Sequence, residues 1–148
     1  MTQKNDEFTG TVESLGSNGE GIVHRDGTVF FAPFTAVGEK VKFRALKVKG
    51  KVGYAKALEI LTPADERVRP RCALFTRCGG CQLQHLRYGA QLKLKSKTVA
   101  DTLRKIAGIE IAVPLTVKSD NQFEYRNKLQ IPVGIDKTGN SVIGFYAE

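Results

Sequence analysis

Apolar and polar residues alternate along the first sixty positions with the period of two that half-buried strands require. The alternation predicts strands at Phe8–Ser14, Gly21–Arg25, Thr28–Phe34, Glu39–Val48 and Val52–Leu61. Turn chemistry separates them: the Gly- and Asn-rich run Gly16–Gly21, the Asp26–Gly27 pair, and Gly50. Five short strands without a helix predict a small closed or partly closed barrel. The fourth strand carries the most information. Val41, Phe43 and Ala45 alternate with Lys40, Lys42 and Arg44, giving one apolar and one cationic face. After Ala45 the phase flips: Leu46 and Val48 become the apolar set beside Lys47 and Lys49. A change of phase by one residue predicts a β-bulge, which bends a strand as a small barrel needs.

The pattern changes after Thr62. Pro63, Pro70 and the arginines between Arg67 and Arg71 argue against regular structure, so residues 63–85 read as a linker and a loop. Leu92, Val99, Leu103 and Ile106 then recur at helical spacing and predict a helix over about Leu86–Ala107, with Gly108 as its stop. Further strands are expected at Ile109–Val117, Tyr125–Val133 and Ser141–Tyr146, the last two joined by a turn at Asp136–Asn140. The expected fold is therefore mainly β. A five-stranded barrel occupies residues 1–62, a cysteine-bearing loop 63–85, and an incomplete α+β region 86–148. An unfinished sheet has open edges, so dimerisation or aggregation is expected.

Charge narrows the partners. The formal net charge is +8, which points toward a polyanion such as nucleic acid. The excess is concentrated. Residues 40–56 hold seven basic side chains and no acidic one, and residues 67–105 hold ten against Asp101 alone. Lys40, Lys42, Arg44, Lys47, Lys49 and Lys51 are candidates for contact with a phosphate backbone, and Phe30, Phe31 and Phe34 for base stacking. Arg126 and Lys128 share one face of an expected strand and are further candidates. Arg67, Arg69, Arg71 and Arg77 flank the cysteines, where they would hold RNA or offset thiolate charge. No apolar run approaches membrane-spanning length, and the N-terminus has no signal-peptide core. A soluble, cytoplasmic protein is expected.

All three cysteines fall within ten residues, Cys72, Cys78 and Cys81, as C-x5-C-x2-C with Gly79 and Gly80 between the last two. Clustered thiols in a cytosolic protein point to metal or redox chemistry more than to disulfides. Two metals compete. A cubane iron–sulfur cluster needs four thiolates, and three are present. Zinc would find four donors if His85 joined the cysteines as a Cys3His set. Ligand count alone favours zinc.

The string Cys72-x5-Cys78-Gly79-Gly80-Cys81-x-Leu83-Gln84-His85 resembles the cluster motif of the RNA (uracil-5-)-methyltransferases, especially the 23S rRNA members. The segments GEGIVHRDGTVFFAPF and GEKVKFRALKVKGK resemble the OB-like TRAM barrel that precedes the motif in that family. Phe123–Lys128 and Ile143–Tyr146 resemble its central α/β domain. The resemblance implies a [4Fe–4S] cluster held by Cys72, Cys78 and Cys81, with the fourth cysteine just beyond Glu148 and no ligand role for His85. It also implies an RNA partner, with 23S rRNA the expected one. The catalytic cysteine, the general base and the S-adenosylmethionine pocket would lie in a C-terminal domain that this sequence does not contain. No residue here is expected to be catalytic, and the chain alone is expected to be inactive. The alternative is a stand-alone RNA-binding module with the Cys3His zinc site.

Overall fold

The structure is a computed structural model that describes residues 2–146. The expected mainly β architecture is present. Six strands, β1 (Glu7–Thr11), β2 (Ser14–Leu15), β3 (Gly21–Arg25), β4 (Thr28–Ala32), β5 (Lys40–Lys49) and β6 (Val52–Thr62), form one mixed sheet. Their order is β1-β5-β6-β4-β3-β2, with β4 and β6 parallel and the other pairs antiparallel.

The first two strands are one bent N-terminal segment. Its first half pairs with β5, from Glu7 opposite Arg44 to Thr11 opposite Lys40. The chain then turns, the Val12 N–H donates to the Glu39 carbonyl and the Glu13 N–H to the Ile22 carbonyl, each at 2.9 Å. Ser14 and Leu15 continue against β3. One segment thus joins both ends of the sheet and closes it into a barrel, leaving few unpaired edges.

The inward set follows the alternation. Phe8, Val12, Val23, Phe30, Ala32, Val41, Phe43, Ala45 and Ala55 make the core, with Phe8 centred 4.9 Å from Phe30 and 5.3 Å from Phe43. Gly53 is dictated by this packing, because a Cβ there would sit 2.4 Å from Cε1 of Phe30. The bulge expected after Ala45 is present as a register shift between Ala45 and Lys47. Val48 then packs against the core, but Leu46 faces solvent, so only half of the expected second apolar set turns inward. Two further shifts, at Lys40/Val41 and Lys42/Phe43, had no visible sequence signal.

Beyond the barrel the expectations hold less well. Helix α1 spans Tyr88–Thr102 and continues as a π-helical turn, Leu103–Ala107, closed by Gly108 in the left-handed conformation. Leu92 and Leu94 are buried, but Val99 and Ile106 are exposed, so the expected apolar stripe is only partly covered. The strands expected at Ile109–Val117 and Tyr125–Val133 are not formed; only a hairpin of β7 (Val133–Ile135) and β8 (Ser141–Ile143) appears around the Asp136–Asn140 turn. A strand needs a partner for its N–H and C=O groups. Among the described residues, no strand pairs with residues 109–117 or 125–132. No helix among them is long and apolar enough to cross a membrane.

Candidate nucleic-acid interface and cysteine loop

The β5–β6 hairpin separates the cationic residues into two groups. Glu7 of β1 sits opposite Arg44 and takes an ion pair from Arg44 at 2.6 Å and another from Lys42 at 2.8 Å. The hydrogen bonds from Lys42 and then Arg44 hold the Glu7 carboxyl down at about 2. Lys42 is raised in turn, first by its hydrogen bond to Glu7, with Glu59 of β6 adding to the effect. This part of the strand face is charge-balanced. Lys47, Lys49, Lys51 and Lys56 are exposed and form no ion pair among the described residues, and Lys40 at the start of β5 is likewise exposed. Lys51 follows Gly50 in the two-residue turn, where Gly50 has φ +59°, the conformation a tight hairpin asks of its first position. Cationic character is therefore strongest at the hairpin tip, not along the whole strand.

Beside this tip lies an aromatic surface. Phe31 of β4 and Tyr54 of β6 are register partners on the outer face, with ring centroids 6.0 Å apart. The sequence offered Phe30, Phe31 and Phe34 as stacking candidates. Phe30 is fully buried, whereas Phe31 and Phe34 are half-buried. Tyr54 was missed, although its position between the inward Gly53 and Ala55 marks it as outward-facing.

The cysteines lie on a loop that is tied at its neck and docked on the barrel. Arg67 and Leu86 form a β-bridge, the Val68 N–H donates to the His85 carbonyl at 2.9 Å, and the Arg87 N–H donates to the Glu66 carbonyl at 2.8 Å. Residues 69–84 are thereby closed into a loop. Arg67 anchors it: its guanidinium bonds both carboxylate oxygens of Glu39, with Nη2 at 2.8 Å from Oε2, and reaches the Phe34 carbonyl at 2.9 Å. Glu39 has no exposed surface. It also accepts the N–H groups of Ala36 at 2.8 Å and Ala64 at 3.3 Å. Burial pushes its carboxyl up, but the Arg67 hydrogen bond, the Ala36 N–H and the Arg67 charge outweigh burial, so its affinity for a proton falls. Phe75 and His85 pack with Phe34 at centroid separations of 5.0 and 6.4 Å.

This arrangement corrects two expectations. Arg67, itself half-buried, is committed to the buried Glu39 carboxylate rather than to RNA or to the cysteines. His85 is fully buried, and its Nε2 lies 3.0 Å from the Thr35 carbonyl. That carbonyl can only accept, so Nε2 carries the proton and Nδ1 is left as a buried acceptor without a donor. Burial, chiefly, holds the imidazole below its ordinary value. The imidazole is buried against the barrel and, among the described residues, is not gathered with the three cysteines as a Cys3His site requires.

Cys72 and Cys81 are exposed and Cys78 is half-buried; all three are free thiols. The Cys72 N–H donates to Gln84 Oε1 at 3.1 Å, and the backbone turns tightly at Leu74–Cys78. Gly80 lies against Cys78, where a Cβ would meet Sγ at 3.4 Å. Among the described residues, no three His, Cys, Asp or Glu side chains are gathered closely enough to hold a metal ion. Three thiols are one short of the four donors that a zinc site or a cubane iron–sulfur cluster takes, and they are not gathered around one point.

A cleft of 880 Å³ opens beside the loop, lined by Arg69, Arg71, Arg87, Lys95, Arg126 and the ring of Phe123, among others. Arg71 bonds Glu124 at 3.1 Å and lies 5.1 Å from the Phe123 ring centroid. Arg126 therefore belongs to a cationic cleft. Lys128 is exposed outside its lining, and because no strand forms there the two do not share a strand face.

The closed barrel with its basic hairpin defines a small β-domain of the TRAM kind, and residues 2–58 match the TRAM domain family. The whole chain is homologous to RNA methyltransferases. An uncharacterized RNA methyltransferase of Listeria monocytogenes is 40% identical over 146 residues, covering 99% of this chain and 32% of that protein. One of Clostridium tetani is 39% identical over 145 residues, covering 98% and 31%. Among solved structures, the tRNA (uracil-54, C5)-methyltransferase of Pyrococcus abyssi, in complex with S-adenosyl-L-homocysteine, superposes with a TM-score of 0.56 at 31% identity. That match covers 93% of this chain and 28% of the other. The chain thus spans about a third of the length of the curated relatives it matches.

Proposed function

We propose that this chain is the RNA-binding N-terminal portion of an S-adenosylmethionine-dependent RNA (uracil-5-)-methyltransferase. The observation that carries the proposal is the cluster of unpaired lysines at the β5–β6 tip, Lys47, Lys49 and Lys51, on a barrel of the TRAM kind. Lysines without acidic partners are free to neutralise phosphates and release counterions. Lys40 lies at the opposite end of β5 from the tip, beside Thr62, and would make a separate contact. Lys42 and Arg44 contribute less because Glu7 already occupies them; Arg126 would make a second contact in the cleft, and Lys128 one outside it. Methyl transfer, S-adenosylmethionine binding and the catalytic cysteine belong to the longer enzyme, as the length of the relatives supports. A cytoplasmic location is part of this reading.

Within this reading, 23S rRNA is the preferred substrate, on the strength of the C-x5-C-x2-C motif. The solved relative acts on a tRNA, which makes tRNA the natural competitor. Cys72, Cys78 and Cys81 are three ligands of a [4Fe–4S] cluster, with a fourth thiolate from outside this chain. The thiols would have to converge on binding. The exposed hairpin of β7 and β8 offers a pairing edge, so the isolated chain would dimerise.

Fluorescence anisotropy with a labelled 23S rRNA fragment and with tRNA tests the central reading. Tighter binding of the 23S fragment supports it, tighter binding of tRNA shifts the substrate, and no binding to either at low salt refutes it. Anaerobic reconstitution with iron and sulfide tests the cluster: broad visible absorption that is lost in Cys78→Ser is expected, and a colourless product contradicts it. A monomer by light scattering would contradict dimerisation.

A further inference from the structure

Four residues from four adjacent strands line up across the outer face of the barrel. Ile22 of β3 is opposite Phe31 of β4, Phe31 is opposite Tyr54 of β6, and Tyr54 is opposite Lys47 of β5. Their inward neighbours, Phe30, Ala32, Gly53 and Ala55, fill or adjoin the core, so the outward aromatics are not needed to hold the barrel together. Tyr54 is 53% exposed, so one face of its ring is open to a partner.

The two rings form one wall of a 270 Å³ pocket, completed by Asn18, Glu20, Pro33, Phe34 and Gln82. That is below the size of a drug-like ligand site and suited to a single planar ring. The rings and Pro33 supply flat apolar contact. Asn18, Glu20 and Gln82 put amide and carboxylate groups at the rim. Asn18 and Glu20 hold each other through a backbone contact of 3.1 Å and a side-chain contact of 3.3 Å. The far wall belongs to the cysteine loop, since Gln82 follows Cys81 directly. Gly19, with φ +87°, lets the 16–20 turn close against Leu83 of that loop: a Cβ there would fall 2.3 Å from Leu83 Cδ2.

We propose that this pocket receives one unstacked nucleobase of single-stranded RNA, stacked on the wall of Tyr54 and Phe31, while Lys47 and the other hairpin-tip lysines hold the adjoining phosphates. The proposal rests on the RNA-binding reading given above and assigns it a base-specific contact. Flat aromatic surface beside a cationic strand is the combination single-stranded nucleic acid recognises: stacking takes the base, and charge takes the backbone. Amide groups at the rim add hydrogen-bond readout of the base edge. The docked cysteine loop completes the wall through Gln82.

The test is anisotropy of a labelled single-stranded oligouridine with the whole chain, over a range of salt concentrations, for wild type, Tyr54→Ala, Tyr54→Phe and the combined Lys49→Ala/Lys51→Ala variant. Loss of one stacked base should weaken binding about 5- to 150-fold in Tyr54→Ala, with the salt slope unchanged. Tyr54→Phe should bind within about twofold of wild type, because the ring is retained. The lysine variant should instead flatten the salt slope. Photocrosslinking of a 4-thiouridine oligonucleotide should mark Tyr54 or Phe31. Tyr54→Ala binding as wild type while the lysine variant weakens would overturn the pocket and leave RNA binding by the barrel intact. Absence of binding by wild type at low salt would overturn both.

Discussion

Arg67→Ala is the most informative single change to the fold. The guanidinium meets both oxygens of a carboxylate that has no exposed surface, and it spans from the cysteine-loop neck to the barrel. Its removal leaves Glu39 with two backbone N–H donors and no countercharge. Breaking a buried ion pair from one side costs about 3–5 kcal/mol. A barrel of this size has only about 3–9 kcal/mol of stability in total, so Arg67→Ala should bring it close to unfolding at room temperature. The assay is urea unfolding followed by circular dichroism, with the slope checked so that a midpoint shift reads as stability. Replacing both partners by apolar residues, Glu39→Leu with Arg67→Met, should cost less than Arg67→Ala alone, since no charge is then stranded. The pH response should also reverse. In the wild type Glu39 is lowered, so its contribution is complete above the unfolded value of 4.5 and is lost as pH falls. In Arg67→Ala burial would raise the same carboxyl, and the variant should gain stability as pH falls toward 4.5. A cost below about 1 kcal/mol, the range of an exposed pair, would refute the buried-pair reasoning.

Other outcomes follow from particular contacts. His85 is lowered by burial, so the wild type should begin to lose stability as pH falls through about 6.5, ahead of the Glu39 phase; in His85→Gln, chemical denaturation should show that first phase gone. Gly53→Ala should cost about 1–3 kcal/mol by overpacking against Phe30, and an unchanged urea midpoint would mean the ring can yield. Glu7→Gln should release Lys42 and Arg44 for phosphates and tighten RNA binding with a steeper salt slope; weaker binding in that variant would contradict the charge-balanced reading of the strand. The docked loop should resist limited proteolysis in wild type and be cut within residues 69–84 in Arg67→Ala.

The barrel was legible because its signals are local. Alternation set the inward residues, Asp26–Gly27 and Gly50 set the hairpins, and the phase flip at Ala45 marked a bulge. The functional surface was less legible, because it depends on neighbours distant in sequence. Nothing around Lys42 or Arg44 indicates that Glu7, some thirty-five positions earlier, neutralises them. The same holds for Arg67, which reads as one more basic residue beside the cysteines until Glu39 is placed against it. His85 has metal-ligand spacing from Cys81, yet it is buried on the barrel, with its Nε2 on a carbonyl fifty positions upstream. Beyond Gly108 the alternation was genuine, but a pattern forms a strand only where a partner strand is available. Segments 109–117 and 125–132 find none among the described residues, so the expected face shared by Arg126 and Lys128 does not form.

The most direct test of the central claim is the salt dependence of RNA binding in two variants measured side by side. For single strands the logarithmic slope changes by about 0.7 per phosphate contact. Replacing Lys47, Lys49 and Lys51 with alanine should therefore flatten the slope by about 2, while Lys42→Ala/Arg44→Ala should change it much less because Glu7 already holds those cations. Equal slopes in wild type and the triple variant would contradict an RNA interface at the β5–β6 tip.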